Sequence, residues 1–212
     1  MALKPNPSAA MTSVLLSTTY FGPVQWYQKL YRYASVFIDQ QETFQKQTYR
    51  NRCLIATTQG IQALTVPVVH GAGNAIGDIC ISDHGNWRHL HWQAIQTAYG
   101  DSPFFEYYED DLRPFFSERN WERLVDYNEA ICQKMCELLD IQPHLSPLSS
   151  SDCPPSSLSD FRMAINPKHP LQDADFQPRP YYQVYQQKNG FLPNLSILDL
   201  LFNMGPESIF YL

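Results

Sequence analysis

No stretch of this sequence approaches the ~18 consecutive apolar residues of a membrane-spanning helix. The segment before Tyr20 also lacks the apolar centre of a secretory signal, with runs as short as Val14-Leu15-Leu16. Charge is scarce: 17% of residues are Asp, Glu, Lys or Arg, and 15 basic against 21 acidic side chains leave a net charge of −6. A chain that follows a phosphate backbone presents a basic stripe. None is legible here, so nucleic acid is not expected as a partner. The five cysteines (Cys53, Cys80, Cys132, Cys136 and Cys153) are odd in number and show no CxxC or CxxH spacing. They read as reduced thiols rather than a disulfide framework or zinc site. The G-x-S-x-G elbow and the phosphate-binding P-loop are missing too, so covalent catalysis has no strong signal. The expectation is a cytoplasmic protein with no membrane span, no metal and no cofactor.

What the sequence does have is enough apolar surface for a core. Hydrophobic residues make up 44% of the 212 positions, and a chain of this length buries roughly 70% of its unfolded surface. One domain is expected. Residues 1–11 carry two prolines and no periodicity, which suggests a flexible tail. Strand-like runs at 13–18 and 35–39 flank a helix at 23–33 that opens on Pro23, an α/β unit. Further strands are expected at 51–57, 63–69 and 76–82, the last three in antiparallel succession. Helices are expected at 86–99, 103–116 and 118–139, the last capped by Ser117. From Pro143 to Ser159, 11 of 17 residues are Ser or Pro, so 143–160 reads as a loop without regular structure. The segment 161–212 would then pack back on a 12–142 core. The fold class is mixed α/β: a partly antiparallel sheet of about five strands flanked by helices.

Several constellations are candidates for chemistry, and each has a plainer alternative. The stretch His70-Gly71-Ala72-Gly73-Asn74-Ala75-Ile76-Gly77 imitates a dinucleotide fingerprint. That fingerprint works only where a helix begins at the glycines, and strand-like Ile79 and Ile81 follow instead, so a hairpin loop is the better reading. His89 and His91 are two residues apart and face opposite ways on a helix, which argues against shared metal ligation. His91 falls on the apolar stripe with Trp87, Leu90 and Ile95, either as a satisfied core histidine or as a pocket acid/base. Asp39 ends a strand where α/β ligands commonly sit, and Lys46, Arg50, Asn51 and Arg52 follow. A carboxylate facing cationic forks suits a zwitterionic or anionic substrate, or is a surface salt bridge. Asn128, in the middle of an apolar helix stripe, needs a buried partner: it either stitches the core or lines a pocket. Cys132 and Cys136, four apart on the same helix, are most simply core filler.

In order and spacing, these segments resemble the WbqC-like family, a bacterial group often encoded near surface-polysaccharide genes. Tyr20-Phe21-Gly22-Pro23 looks like the family's Y-F-x-P opening after a first strand. Lys46-Gln47-Thr48-Tyr49-Arg50-Asn51-Arg52 is similar to its K-x-x-x-x-N-R, and Leu64 to Val68 to its strand ending in V-P-V. Trp87 to His91 and Tyr99 to Phe105 resemble its W-x-x-x-H helix and its Y-x-x-x-P-Y/F-F junction. Leu195 to Asn203 resembles the terminal L-S-I-x-D-x-L motif, and Asn128 falls where the third helix of the family carries an Asn. Two departures stand out. Thr18-Thr19 replace a common Gln-Pro, and the segment before the final motif is shortened.

The resemblance implies transfer of glycine or a related aminoacyl group to an amino sugar in surface-polysaccharide assembly, with a sugar or other small molecule as substrate and association with assembly enzymes. Such chemistry asks for a base, donors for an oxyanion and a clamp for the carboxylate or phosphate of the donor. On this reading His91 is the base and Asp39 orients the ammonium. Asn51 and Arg52 are the donors, Lys46 is the clamp, and Tyr20 and Asn128 bind substrate. The alternative is a non-catalytic binding or scaffolding module that recognises a sugar nucleotide or a partner enzyme. An enzyme should bring Asp39, Asn51, Arg52 and His91 into one cleft.

Overall fold

The computed structural model describes residues 13–71, 73–148 and 158–212. The first strand, β1 (Ser13–Ser17), is buried along its whole length, the continuous apolar run expected of a strand covered on both faces. Helix α1 (Val24–Arg32) follows Pro23, which occupies the N-cap in an extended conformation. The chain then returns as β2 (Ser35–Asp39), parallel to β1 and in register from Ser13 against Ser35 to Ser17 against Asp39. Strands β3 (Arg52–Thr57) and β4 (Gly60–Thr65) form an antiparallel hairpin, and β5 (Val68–His70) with β6 (Ile79–Ile81) forms a second. The helical part comprises α2 (Trp87–Tyr99), α3 (Phe105–Leu112), α4 (Pro114–Ser117) and α5 (Leu124–Leu138). Two more strands, β7 (Leu145–Leu148) and β8 (Leu158–Asp160), precede α6 (Gln186–Asn189) and α7 (Ile197–Met204).

The mixed α/β class holds, but the sheet differs from expectation. The main sheet has four strands in the order β7-β2-β1-β8, all parallel, and the antiparallel strand pairs form two separate hairpins. The Ser/Pro-rich segment expected to be loop supplies both edge strands of this sheet: β7 pairs with β2, and β8 with β1. Local composition disfavours strand there, but the ladder groups offered by β1 and β2 outweigh it, and edge positions tolerate Pro147 because one side of an edge strand has no ladder to donate to. Residues 149–157, in the middle of that segment, and the expected tail at 1–11 lie outside the described residues.

Smaller corrections have equally local causes. The expected strand 63–69 is interrupted at Val66-Pro67, where proline has no N–H for the ladder. The strand expected at 76–82 begins as a 3₁₀ turn, Ile76–Asp78, whose Ile76 and Gly77 N–H groups donate to Glu42 and Gln40 carbonyls. Pro114 divides the helix expected over 103–116 into α3 and α4. Ser117 is no cap for α5, because Glu122 and Arg123 pair with β6 and delay the helix to Leu124. Leu90, expected on the buried stripe of α2, is 59% exposed, while Trp92 is buried in its place. The glycine-bearing stretch from His70 does close a hairpin: Gly71 N–H donates to the Asp78 carbonyl, and no helix starts at its described glycines.

The opening and terminal motifs meet. Val24 N–H donates to the Leu195 carbonyl and Ile197 N–H to the Gly22 carbonyl, at 3.0 and 2.9 Å. The Ser196 hydroxyl donates to the Phe21 carbonyl at 2.8 Å, which fixes Phe21 at a positive φ of 41° with its ring stacked on Phe116. Helix α7 thereby packs against α1, α3 and β3 at the centre of the core. It ends at Gly205, where φ is 54° and an added Cβ would meet the Phe104 ring at 2.5 Å, so only glycine fits.

Candidate functional site

Register places Ser17 beside Asp39 at the carboxyl ends of β1 and β2, and Asp160 ends β8 on the other side of β1. The strand order reverses here: the chain leaves β1 towards β2 and later occupies the opposite flank with β8. Ligands of open parallel sheets bind outside the carboxyl ends at such a reversal. Asp39 is 5% exposed; its Oδ1 accepts the N–H groups of Gln41 and Glu42 at 2.8 and 3.1 Å, and its Oδ2 pairs with Arg162. Arg162 also grips Asp160 at 2.6 Å, which holds the Asp160 carboxyl below its usual range and pushes the guanidinium pKa up. Arg50 is buried, pairs with Glu42 and donates to the Ser17 hydroxyl at 2.8 Å. Two guanidinium groups and three carboxylates thus gather along one sheet edge.

Trp26, whose indole N–H donates to the Ser17 carbonyl at 3.0 Å, lines two recesses at this edge. The smaller, about 10 Å³, lies among Arg50, Arg162 and Phe161. The larger, about 70 Å³, is lined by Thr19, Asn128, Glu129 and Cys132 with apolar walls from Ile38 and Leu145. Asn128 donates its amide N–H to the Arg50 carbonyl at 2.8 Å, while its Oδ1 has no partner; nor has the Thr19 hydroxyl. Gly22 makes room for Thr19: a Cβ there would lie 2.4 Å from Thr19 Oγ1.

Of the four side chains expected in one cleft, three converge elsewhere. His91, on α2, approaches the Tyr20 hydroxyl with Nδ1 at 2.9 Å. Arg52 Nε donates to the Thr65 hydroxyl at 2.9 Å, and Asn51 exchanges hydrogen bonds with Val66 through its side chain and its carbonyl. Asn51 and Arg52 therefore hold the end of β4, and Tyr20 and His91 form a buried pair of their own. His91 is 7% exposed, packs edge-on to Trp87, and lines neither recess at the sheet edge. Desolvation lowers its pKa from 6.5 to about 4, with the Thr65 backbone opposing, so the ring is neutral at pH 7.

Lys46 stands apart from both groups. It is exposed in a third recess, about 340 Å³, with Lys168 and His169. Neighbouring Gln47 has a φ of 62° and accepts from Lys168. Sequence reading missed Arg162, which completes the Asp39 cluster, because it follows directly on the Ser/Pro stretch and belongs to no periodic element. It missed Asp199 as well. This carboxylate is wholly buried and accepts from Tyr181, Gln183 and Tyr99 at 2.7, 2.8 and 3.0 Å. Burial pushes its pKa up, against those three hydrogen bonds. Its one signal in the sequence is that it is the Asp of the terminal L-S-I-x-D-x-L pattern.

A family model described as the WbqC-like protein family matches residues 18–169 and 168–211. The chain is 28% identical over 230 aligned positions to "Uncharacterized protein Rv1507c" of Mycobacterium tuberculosis, an alignment covering 95% of this chain and 98% of that protein. No solved structure matches significantly. Among the described residues, no helix is long and apolar enough to cross a membrane.

Proposed function

The chain belongs to the WbqC-like protein family, and from that premise we propose that it binds a small sugar or aminoacyl substrate at the carboxyl edge of its parallel sheet and transfers an aminoacyl group to an amino sugar in surface-polysaccharide assembly. The observation that carries this reading is the gathering of Asp39, Arg162, Asp160, Arg50 and Glu42 at the reversal of strand order. Buried or half-buried charges are costly to assemble unless something charged or polar is to be held there. In the transfer, the amine nitrogen bonds to the activated carbonyl, the bond from that carbonyl to its leaving group breaks, and the amine proton passes to a carboxylate of the edge. Asp39 and Asn128 face substrate in this reading, and Lys46 with Lys168 holds the anionic end of the donor. Tyr20, Asn51, Arg52 and His91 take a supporting role, since Tyr20 and His91 bond each other while Asn51 Nδ2 and Arg52 Nε bond Val66 and Thr65.

A second reading, a non-catalytic sugar-nucleotide or partner-binding module, is favoured by one observation: each guanidinium of the edge is already paired within the protein. One experiment separates the two. The purified protein is screened by thermal shift against amino acids, acyl-CoA and nucleotide sugars, and the ligands that bind are incubated together and examined by mass spectrometry. A product heavier by one aminoacyl residue, lost in Arg50→Gln, is the expected result. Binding without product leaves the module reading; no binding by any member of the panel removes the transferase and the sugar-nucleotide module.

A further inference from the structure

The hairpin of β3 and β4 leaves one edge open, and its register says which groups that edge offers. Val66 N–H donates to the Asn51 carbonyl at 2.8 Å, and hydrogen-bonded pairs of an antiparallel ladder alternate with non-bonded ones. Cys53 with Leu64 and Ile55 with Gln62 therefore exchange bonds, whereas Leu54, Ala56, Ile61 and Ala63 turn their N–H and C=O groups outward. On the β3 side the outward groups are met. The Leu54 carbonyl accepts from Ser196 N–H at 2.8 Å, and Ala56 N–H donates to the Tyr99 hydroxyl at 3.1 Å. On the β4 side, among the described residues, those of Ile61 and Ala63 have no partner. Exposed edges are ordinarily blunted by charge or proline, as where β7 carries Pro147 and β8 ends on Asp160. Strand β4 has neither, and its pairing contains no bulge.

Beside this edge lies a groove of about 760 Å³, lined by Ile61, Gln62 and Ala63 together with Gln93, Ala94 and Thr97 of α2. No Asp, Glu, Lys, Arg or His lines it, and it shares no residue with the two recesses at the carboxyl edge of the main sheet. Ile61 is 53% exposed, and Leu90, one helical turn before Gln93 and Ala94, is 59% exposed. Outward backbone donors and acceptors at strand spacing are matched by another extended strand. Two copies of a chain with net charge −6 repel one another overall, so contact costs least where the surface carries no charge. Strand β4 is itself uncharged, extended and open along this edge. About a twofold axis at Gln62, Ile61 stands opposite Ala63 of the second copy. Both are outward-facing residues, the parity that a hydrogen-bonded pair demands. We propose that the open edge of β4 is a self-association surface, through which two copies pair antiparallel about Gln62 with the Leu90 face of α2 flanking the ladder. This goes beyond the functional reading above and does not depend on it.

The test is sedimentation of the intact chain from about 5 to 500 µM, with amide exchange followed by NMR at both ends of that range. A ladder this short gives a weak dimer, with a dissociation constant of roughly 10–100 µM. As the dimer forms, exchange at the Ile61 and Ala63 amides should slow about threefold or more, while Gln62 and Leu64, already bonded to β3, change little. Ala63→Pro removes an outward N–H and no bond to β3, and Ile61→Lys places a charge on the edge. Each should raise the dissociation constant about tenfold or more. Ile61→Lys should leave the melting temperature at the low concentration within about 3 °C of the parent. A chain that stays monomeric to about 500 µM, a dimer weakened by neither substitution, or equal exchange of the two amides at both concentrations overturns the proposal. Protection of those amides by an added short peptide of alternating Val and Thr, in a chain that remains monomeric, gives the edge to the strand of another protein and overturns it as well.

Discussion

Two buried polar regions of this protein are opposites in how they are closed. Along the seam between Tyr20–Val24 and Leu195–Asp199, backbone hydrogen bonds join the two segments, and the buried Asp199 carboxylate receives three donors from two different segments. At the carboxyl edge of the sheet, ion pairs join loops to strand ends, and two oxygens nine-tenths or more buried have no partner at all. Burial is similar in both places; satisfaction is not. A closed network fixes where chain segments sit, whereas leftover hydrogen-bonding capacity is what a ligand can use.

The largest expected effect tests the closure of the seam. Asp199→Ala strands the hydroxyls of Tyr99 and Tyr181 and the amide of Gln183, and should cost about 3–5 kcal/mol in urea unfolding, given ~1–3 kcal/mol for an unmet buried group and incomplete additivity. A loss below 1 kcal/mol would erase the contrast between the two regions. Acid comes next, through the His91 ring that Tyr20 holds. Its folded pKa of about 4 lies below the unfolded 6.5, so between these values the unfolded chain binds more protons and stability falls as pH drops. The loss amounts to about 3 kcal/mol once pH reaches the folded pKa, and is fully recovered above the unfolded value. His91→Gln should abolish this part of the pH dependence, which paired melting curves from pH 4 to 8 would reveal.

The edge gives the smaller effects. Gly22→Ala drives a Cβ into Thr19 Oγ1 and should cost about 1–3 kcal/mol, with most of it regained in the double variant Gly22→Ala/Thr19→Ala. Failure to regain it would mean that Gly22 is constrained by the seam rather than by the recess. Arg162→Ala should cost the least, about 1 kcal/mol, since its guanidinium is partly exposed and Asp39 keeps two backbone donors. A much larger loss would show the edge to be as structural as the seam.

Most elements were legible because their signals are local. The apolar β1, the proline-opened α1 and the 3.6-residue period of α2 and α5 need no distant partner to be read. The turn from Tyr20 to Pro23 and the terminal Leu195 to Asn203 stood out as motifs, but nothing in either says that the other is its partner. The candidate site was legible only in pieces. Asp39 was marked by its place at a strand end, Asn128 by its polarity in an apolar stripe, and Lys46 and Arg50 by their charge. Arg162 carried no signal.

The sequence by itself therefore determined the α/β class, the helical and strand segments, and the scarcity of charge that makes each buried ionic group informative. Tertiary structure decided which strands share a sheet, since β7 and β8 are recruited from a Ser/Pro stretch by the open ladders of β1 and β2. It also decided the company each polar residue keeps. His91 is drawn to the Tyr20 hydroxyl while Asp39 meets Arg162 across 123 residues of chain. Hydrogen-bond satisfaction is a property of neighbours in space, and period and composition along the chain carry no record of it.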